Sequence, residues 1–425
     1  MKVLWISASF SAAAKQSLLG TKNAYGSGNW IDDEATHLIT EEGVEGLTLV
    51  SSCSNKMGSA TNNGITYVDL GLGPLTKSSR SLMGKPRKAI LETIGRVSPD
   101  IIQVWGTENP LSQIAMQCAK ESGKPSILCP QGLVASLLHF PNGHMAAREM
   151  CGANVLDWLK MPLFNTTKKA YQKYAPFEKK AIELADFVLS DNQWTFDYCR
   201  CINPTICPLW YPLPVNDCFV GASWSVSECI PRTIMSVSPR SSYKGQHVLL
   251  RAVGRIKEWY PDVKVYFPAM AGKMSLGVAN ALKRTPYSSM LLRLIHQYGL
   301  QDNVVFLERL SPSKLADAMR TCNVFVNPSV IESNCMSLRE AMWMGMPVVS
   351  AFTGSIQEYV DNGRNGILYR YEEDEILACE LERLFENQEK CERLGSNARK
   401  SMAAFYSNGA TLIDLYKSVL ANTAN

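Results

Sequence analysis

The chain has 425 residues, 46% of them hydrophobic and 19% charged, and a net charge of +4. That length suits two domains, that balance suits an ordinary globular protein, and so small a positive charge gives no footing for nucleic acid as a partner. Thirteen scattered cysteines read as the reduced thiols of a cytoplasmic protein rather than a disulfide framework; their one cluster (Cys199, Cys201, Cys207) lacks a fourth metal ligand, so no metal is expected.

In chain order, MKVLWISASF admits two readings, a short signal sequence or a first buried parallel strand over Val3–Ser7. The short, serine-interrupted apolar core favours the strand. A loop holding Gly20, Gly26 and Gly28 leads to a helix over Trp30–Ile39. Strands are expected at Leu47–Ser51 and Ile65–Leu70, a helix near Pro86–Val97, and a buried strand at Ile101–Trp105. Glu108 and Asn109 stand at that strand's carboxyl end, where ligands of open α/β sheets bind; they either touch a ligand or cap the next helix. Ser126–Cys129 is another strand, ending in Pro130-Gln131-Gly132, and His139 and His144 follow in a loop-like stretch.

Residues 160–180 carry six lysines against one acid, Glu178, with Phe164, Tyr171, Tyr174 and Phe177 interleaved. They read as a basic helix pair, either resting on anionic lipid or simply solvated. No apolar run approaches the roughly 18 residues that span a bilayer. Ala185–Ser190 is a strand and Gln193–Cys201 a helix. The proline-rich stretch 208–231 lacks periodicity and reads as a linker.

The second half opens with a strand at Thr233–Ser238, a loop through Arg240 to Gly245, and a helix over Gln246–Glu258. A strand at Val263–Pro268, a helix at Met290–Tyr298, a strand at Val304–Leu307 and a helix at Pro312–Thr321 lead to the densest stretch, Val324–Leu368. There an apolar strand ends at Asn327-Pro328-Ser329, since proline cannot continue a ladder. Glu332 and Glu340 follow with seven residues between them, the helix stops at Gly345 and Pro347, and PVVSAF forms a second strand. A helix N-terminus at the end of a parallel strand favours an anion, here on the amides of residues 334–337. Two carboxylates beside it suit hydroxyl groups rather than phosphate. Phosphate flanked by hydroxyls describes a nucleotide sugar.

Pro328-Ser329, Glu332, Glu340-Ala341-Met342, Gly345, Pro347-Val348-Val349, Gly354, Glu358 and Asn365-Gly366 together resemble the donor signature of retaining glycosyltransferases of the GT-B fold, family 4. The resemblance covers roughly residues 232–400 and is architectural before that. It implies two Rossmann-like α/β domains with parallel sheets facing across a cleft. It places Glu340 on the ribose hydroxyls, and Glu332 with Asn334, Cys335, Met336 and Ser337 by the sugar and diphosphate. Lys244 and Arg240 would neutralise the leaving diphosphate, although Arg240 lies one residue closer to Lys244 than the pattern has it. Arg309, in Glu308-Arg309-Leu310, would meet the base. Gly26 and Gly28 would face the diphosphate and acceptor, with Glu108 and Gln131 lining the cleft. Two departures stand out: Gln131 replaces the usual His, and Asn334-Cys335 replaces a glycine-rich pair.

The expectation is therefore a metal-independent, retaining hexosyltransferase of the cytoplasm, with lysines 160–180 as a candidate peripheral membrane contact. It needs no cofactor beyond its UDP- or GDP-type donor, and its acceptor would be a glycan or lipid-linked glycan of surface polysaccharide biosynthesis. Expected boundaries are 1–207 for the acceptor domain, 208–231 for the linker, 232–404 for the donor domain and 405–425 for a helix packing back on the first domain. A degenerate nucleotide-binding protein and a nucleotide-sugar epimerase are the competing readings; the five histidines are few for the latter.

Overall fold

The computed structural model describes residues 1–8, 11–20, 29–52, 54–73, 84–140, 142–237, 241–269, 274, 284–407 and 409–423. Within some of these, the side chains at 29–30, 162–167 and 170 lie outside the description. The chain divides into two units, one of Met1–Ala135, Tyr171–Pro214 and Gly409–Asn425, the other of Ser136–Ala170 and Val215–Asn408.

The first unit is built on strands β1 (Lys2–Ser7), β2 (Gly46–Ser51), β3 (Met57–Asn62), β4 (Ile65–Leu70), β5 (Ile101–Trp105), β6 (Ser126–Cys129), β7 (Phe187–Ser190) and β8 (Cys207–Trp210). They form one sheet in the order β3-β4-β2-β1-β5-β6-β7-β8, parallel except for β3. The central strands are continuous apolar runs because helices cover both faces of a parallel sheet, and β5 is buried at all five positions. Gln103 on β5 is fully buried, so its amide needs a partner. The helix Leu412–Thr423 supplies one in Tyr416, whose hydroxyl donates to Gln103 Oε1 and accepts from Trp5 Nε1 at 2.9 Å. Trp5 meets Trp105 edge to face at 5.2 Å.

In the second unit, strands β9 (Ile230–Ser236), β10 (Lys264–Phe267), β11 (Val304–Phe306), β12 (Cys322–Asn327), β13 (Val348–Ala351) and β14 (Ile367–Tyr369) form an all-parallel sheet in the order β11-β10-β9-β12-β13-β14. Its apolar core also takes in Met145, Met150, Cys151 and Met161 from the segment Ser136–Ala170.

Several elements depart from the sequence reading. Residues 155–184 form one continuous helix, Val155–Leu184, not a pair. Ala12–Leu19 is a helix where only loop was expected, capped by Ser11. β3, MGSATN, is almost wholly exposed, so it carried no apolar signal. The proline-rich stretch 208–231 supplies most of β8 and a short helix, Asp217–Val220, and Trp224 in it is buried with its indole N–H on the Cys322 carbonyl at 2.7 Å.

Candidate active site

Three loops converge at the carboxyl ends of β9, β12 and β13 in the second unit. The first follows β9. Gln246, fully buried, ties it down: its amide donates to the Val237 carbonyl at 2.8 Å and accepts from Ser236 Oγ at 3.2 Å. The loop closes in a single 3-10 turn, Ser242–Lys244, and Gly245 turns left-handed (φ 70°) into the helix Gln246–Ile256. Only glycine fits at that point, because a Cβ would stand 1.7 Å from the Pro328 carbonyl oxygen.

The second loop follows β12. Asn327 and Ser329 are fully buried and share a hydrogen bond of 2.8 Å, and the Asn327 amide reaches Ser350 Oγ on β13 at 3.0 Å. Val330 N–H donates to the Tyr243 carbonyl at 2.8 Å, which locks the second loop to the first. The third loop, after β13, holds the second from the other side. Thr353 Oγ1 donates to the Val330 carbonyl at 2.5 Å, Ser355 N–H to the Glu332 carbonyl at 3.0 Å, and Ser355 Oγ to the Ser333 carbonyl at 2.8 Å. Gly354 (φ 52°) lies so close that a Cβ would be 1.9 Å from the Glu332 oxygen.

This bracing sets Lys244 Nζ 2.7 Å from Glu332 Oε1. Glu332 is buried and Lys244 about a quarter exposed at the side chain. Burial alone would lower the Lys244 pKa; the Glu332 carboxylate beside it overrides this and holds it above the usual lysine value. The ammonium also lies 5.4 Å from the centre of the Tyr243 ring.

The helix begins at Met336, two residues into the expected 334–337 turn, and runs to Met344 with Gly345 (φ 81°) ending it. Cys335 caps it without a side-chain hydrogen bond and is buried, its thiol pushed up by that burial and by the Glu332 charge. Asn334 is held by Arg339, whose Nη1 donates to Asn334 Oδ1 at 2.6 Å. Arg339 is a site residue that sequence reasoning missed. It is fully buried, donates to the Tyr406 hydroxyl, and packs its guanidinium on the rings of Tyr359, Phe405 and Tyr406 at 5.2, 5.3 and 5.2 Å. Next to it, one turn in from the helix start, the half-buried Glu340 has no hydrogen-bond donor among the described residues. Burial pushes its carboxyl up to about 7, with Arg339 opposing.

Lys244, Glu332, Asn334, Cys335, Met336, Ser337 and Glu340 are thus drawn together at one end of the sheet or on the helix that leaves it. Arg309 follows β11 and is exposed. Arg240, Gly26 and Gly28 lie outside the described residues. Behind Lys244, His247 is fully enclosed between Tyr287 at 3.3 Å and Tyr371 at 3.4 Å, and burial lowers its pKa to about 3. With both ring nitrogens engaged it serves structure, not proton transfer. His144 (φ 65°) sits 3.6 Å from Glu372.

In the first unit, Asn109 is the helix cap, accepting from Leu111 N–H at 2.8 Å. Glu108 folds back over Gly106, where a Cβ would meet its carboxylate at 2.4 Å, and burial pushes it up to about 7. Gln131 donates to Cys129 Sγ at 3.4 Å. Glu178, read from sequence only as a charge among lysines, is fully buried and accepts from Thr107 Oγ1 at 2.7 Å, Val134 N–H at 2.8 Å and Ala135 N–H at 3.0 Å. On its helix Lys168, Lys169, Lys173, Lys179 and Lys180 are exposed, while Lys160 is half-buried and donates to the Arg284 carbonyl at 3.1 Å. Phe164 lies outside the described side chains. Among the described residues no helix is long and apolar enough to cross a membrane, and no cluster of potential metal ligands is found.

Two α/β units, each on its own largely parallel sheet, make this a GT-B fold, as in the solved structures it matches along its whole length. Sucrose-phosphate synthase from Thermosynechococcus elongatus aligns over 100% of this chain and 98% of its own, with a TM-score of 0.70 at 16% identity. HepE of Anabaena, solved with UDP-glucose, aligns over 100% and 99%, with a TM-score of 0.62 at 14% identity. Residues 230–401, the segment that holds the Lys244–Glu332 pair, match the family described as glycosyl transferases group 1. A D-inositol 3-phosphate glycosyltransferase of Corynebacterium urealyticum is 28% identical over 178 residues, 41% of this chain and 40% of that protein. The matched region therefore spans about 40% of the length of such a relative.

Proposed function

We propose that this protein is a retaining family 4 glycosyltransferase that moves a hexose from a nucleoside-diphosphate sugar, of UDP or GDP type, to a glycan or lipid-linked glycan of surface polysaccharide biosynthesis. The observation that carries the reading is the Lys244–Glu332 pair at 2.7 Å, set beside a helix start and followed one turn on by the unpartnered Glu340 carboxylate. A cation for a diphosphate, amides for its oxygens and a carboxylate for a vicinal diol are the needs of a nucleotide sugar. The nucleotide sugar bound to HepE and the glycosyltransferase named among the relatives support it.

In this mechanism the bond from the sugar's anomeric carbon to the diphosphate breaks, and a bond to the acceptor oxygen forms on the same face. The acceptor's proton goes to the departing phosphate oxygen. Lys244, with Arg240, stabilises the negative charge gathering on the leaving group, which makes a metal ion unnecessary. Glu332 accepts from a hydroxyl of the transferred sugar, and Arg309 meets the base. The acceptor binds the first unit, with Glu108 and Gln131 at the strand ends. The exposed Lys173, Lys179 and Lys180 give that unit an attraction to anionic lipid.

A thermal-shift series with UDP, GDP, ADP and their sugar conjugates tests the donor site. One nucleotide raises the melting temperature of the wild type and not of Glu340→Ala. NMR of the product's anomeric configuration tests retention, and EDTA leaves turnover intact. No shift with any nucleotide, or an inverted product, overturns the proposal.

A further inference from the structure

A cavity of about 240 Å³ lies in the second unit between the start of the helix Val155–Leu184 and the helix Pro286–Gln297, and none of the site residues above lines it. Its polar walls are Asn154, Asp157, Arg284, Ser289, Arg293 and His296. Two guanidiniums against one carboxylate leave it with a net positive charge. Asp157 is 1% exposed, and its two oxygens are used differently. Oδ2 accepts from Arg293 Nη1 at 3.1 Å; Oδ1 is buried and has no hydrogen-bond partner among the described residues. Folded proteins seldom leave such an oxygen unmet, because it gives up its bonds to water and gains none in return. Arg293 is pre-set: it also donates to the Met150 carbonyl and lies flat on Gly152 (φ 56°), where a Cβ would be 3.3 Å from its Nε. Asn154 is spent on capping, its Oδ1 accepting from Leu156 N–H at 3.0 Å.

We propose that this cavity binds a small phosphorylated polyol or sugar. The phosphate lies on Arg284 and Arg293, whose planar forks suit its oxygens, and a ligand hydroxyl donates to Asp157 Oδ1. The volume is below the roughly 300–1,000 Å³ of sites that take drug-sized molecules, which limits the ligand to about one sugar ring. The site is separate from the nucleotide-sugar reading and stands or falls without it.

Calorimetric titration of the full chain with glucose-6-phosphate, inorganic phosphate and glucose tests this. Glucose-6-phosphate binds tightest, inorganic phosphate more weakly, and glucose not measurably. Arg284→Gln weakens the sugar phosphate by roughly tenfold to a hundredfold, the range of one or two charge-assisted hydrogen bonds. Asp157→Asn, checked for folding by circular dichroism, brings glucose-6-phosphate down to the level of inorganic phosphate. Glu340→Ala leaves all three unchanged. Equal affinity for the two phosphates, no heat with either, indifference to Arg284→Gln, or loss in Glu340→Ala each overturns the proposal. The first two outcomes would leave Asp157–Arg293 as a fastener of the segment Ser136–Ala170, and the last would put the ligand in the other site.

Discussion

Lys244 and Glu332, 88 residues apart in the chain, are joined by a 2.7 Å ion pair. Each neutralises the other. A diphosphate would compete with Glu332 for the ammonium and leave that carboxylate to accept from a sugar hydroxyl. Removing one partner leaves the other charge poorly solvated, so Lys244→Met and Glu332→Gln should each cost about 1–3 kcal/mol, less than a fully buried pair because Lys244 remains partly exposed. The double variant should be less destabilised than the sum. Chemical denaturation of the four proteins measures the coupling, and additive losses would mean the pair contributes nothing to stability.

The Glu340 carboxyl gives the site a pH dependence whose sign is fixed. Its folded-state pKa is raised from the ordinary 4.5 to about 7, chiefly by burial. Between those values the folded protein keeps a proton that the unfolded chain has released. The group therefore costs stability in full above about pH 7, and the cost is relieved as pH falls toward 4.5. Hydroxyls of a nucleotide need the ionised form as acceptor, so binding should release a proton and weaken as pH drops below 7. Calorimetry in buffers of different ionisation enthalpy reads that proton. Glu340→Gln should abolish it and weaken nucleotide binding by about 1–3 kcal/mol. A proton release that survives the substitution points instead to Glu108, whose carboxyl burial also pushes up to about 7.

Two glycines permit the loop geometry. Gly245→Ala and Gly354→Ala should each cost on the order of 2–4 kcal/mol, combining left-handed strain with a clash against a backbone carbonyl. Gly363 makes the control: it is also left-handed, at φ 78°, but a Cβ there meets nothing within 4 Å. Gly363→Ala should cost only the conformational part, about 1–2 kcal/mol. Melting temperatures of the three variants rank them, and equal losses would show that close approach is not what requires glycine.

The donor half was legible because buried parallel strands are short apolar runs ended by proline or glycine, and because the two glutamates sit at a spacing that a known signature shares. β4, β5 and β6 fall at their expected residues for the same reason. What escaped were features set by distant partners or by polar composition. β3 is a solvated edge without apolar periodicity. Glu178 looks like a helix charge until it is seen to gather two amides and the Thr107 hydroxyl. The grouping of Ser136–Ala170 with the second unit comes from contacts far apart in sequence, its buried methionines in that unit's core and the Arg293–Asp157 pair 136 residues apart among them.

Arg339 shows most clearly how a positioning residue can hide. In sequence it is an arginine in the first turn of a helix, an ordinary surface choice. In the structure it is fully buried, 2.6 Å from Asn334 Oδ1, and enclosed by three aromatic rings, one of them 67 residues further on. A lysine keeps the charge but can neither stack flat on the rings nor bridge Asn334 and Tyr406 together. Arg339→Lys should therefore cost about 2–4 kcal/mol and, by releasing Asn334, weaken nucleotide binding as well. Tyr406→Phe removes one hydrogen bond while keeping the ring, and should cost only about 1 kcal/mol and leave binding near wild type. Denaturation and nucleotide titration on both variants separate the two roles. If Arg339→Lys loses stability but binds nucleotide normally, the buried guanidinium supports the helix without positioning Asn334.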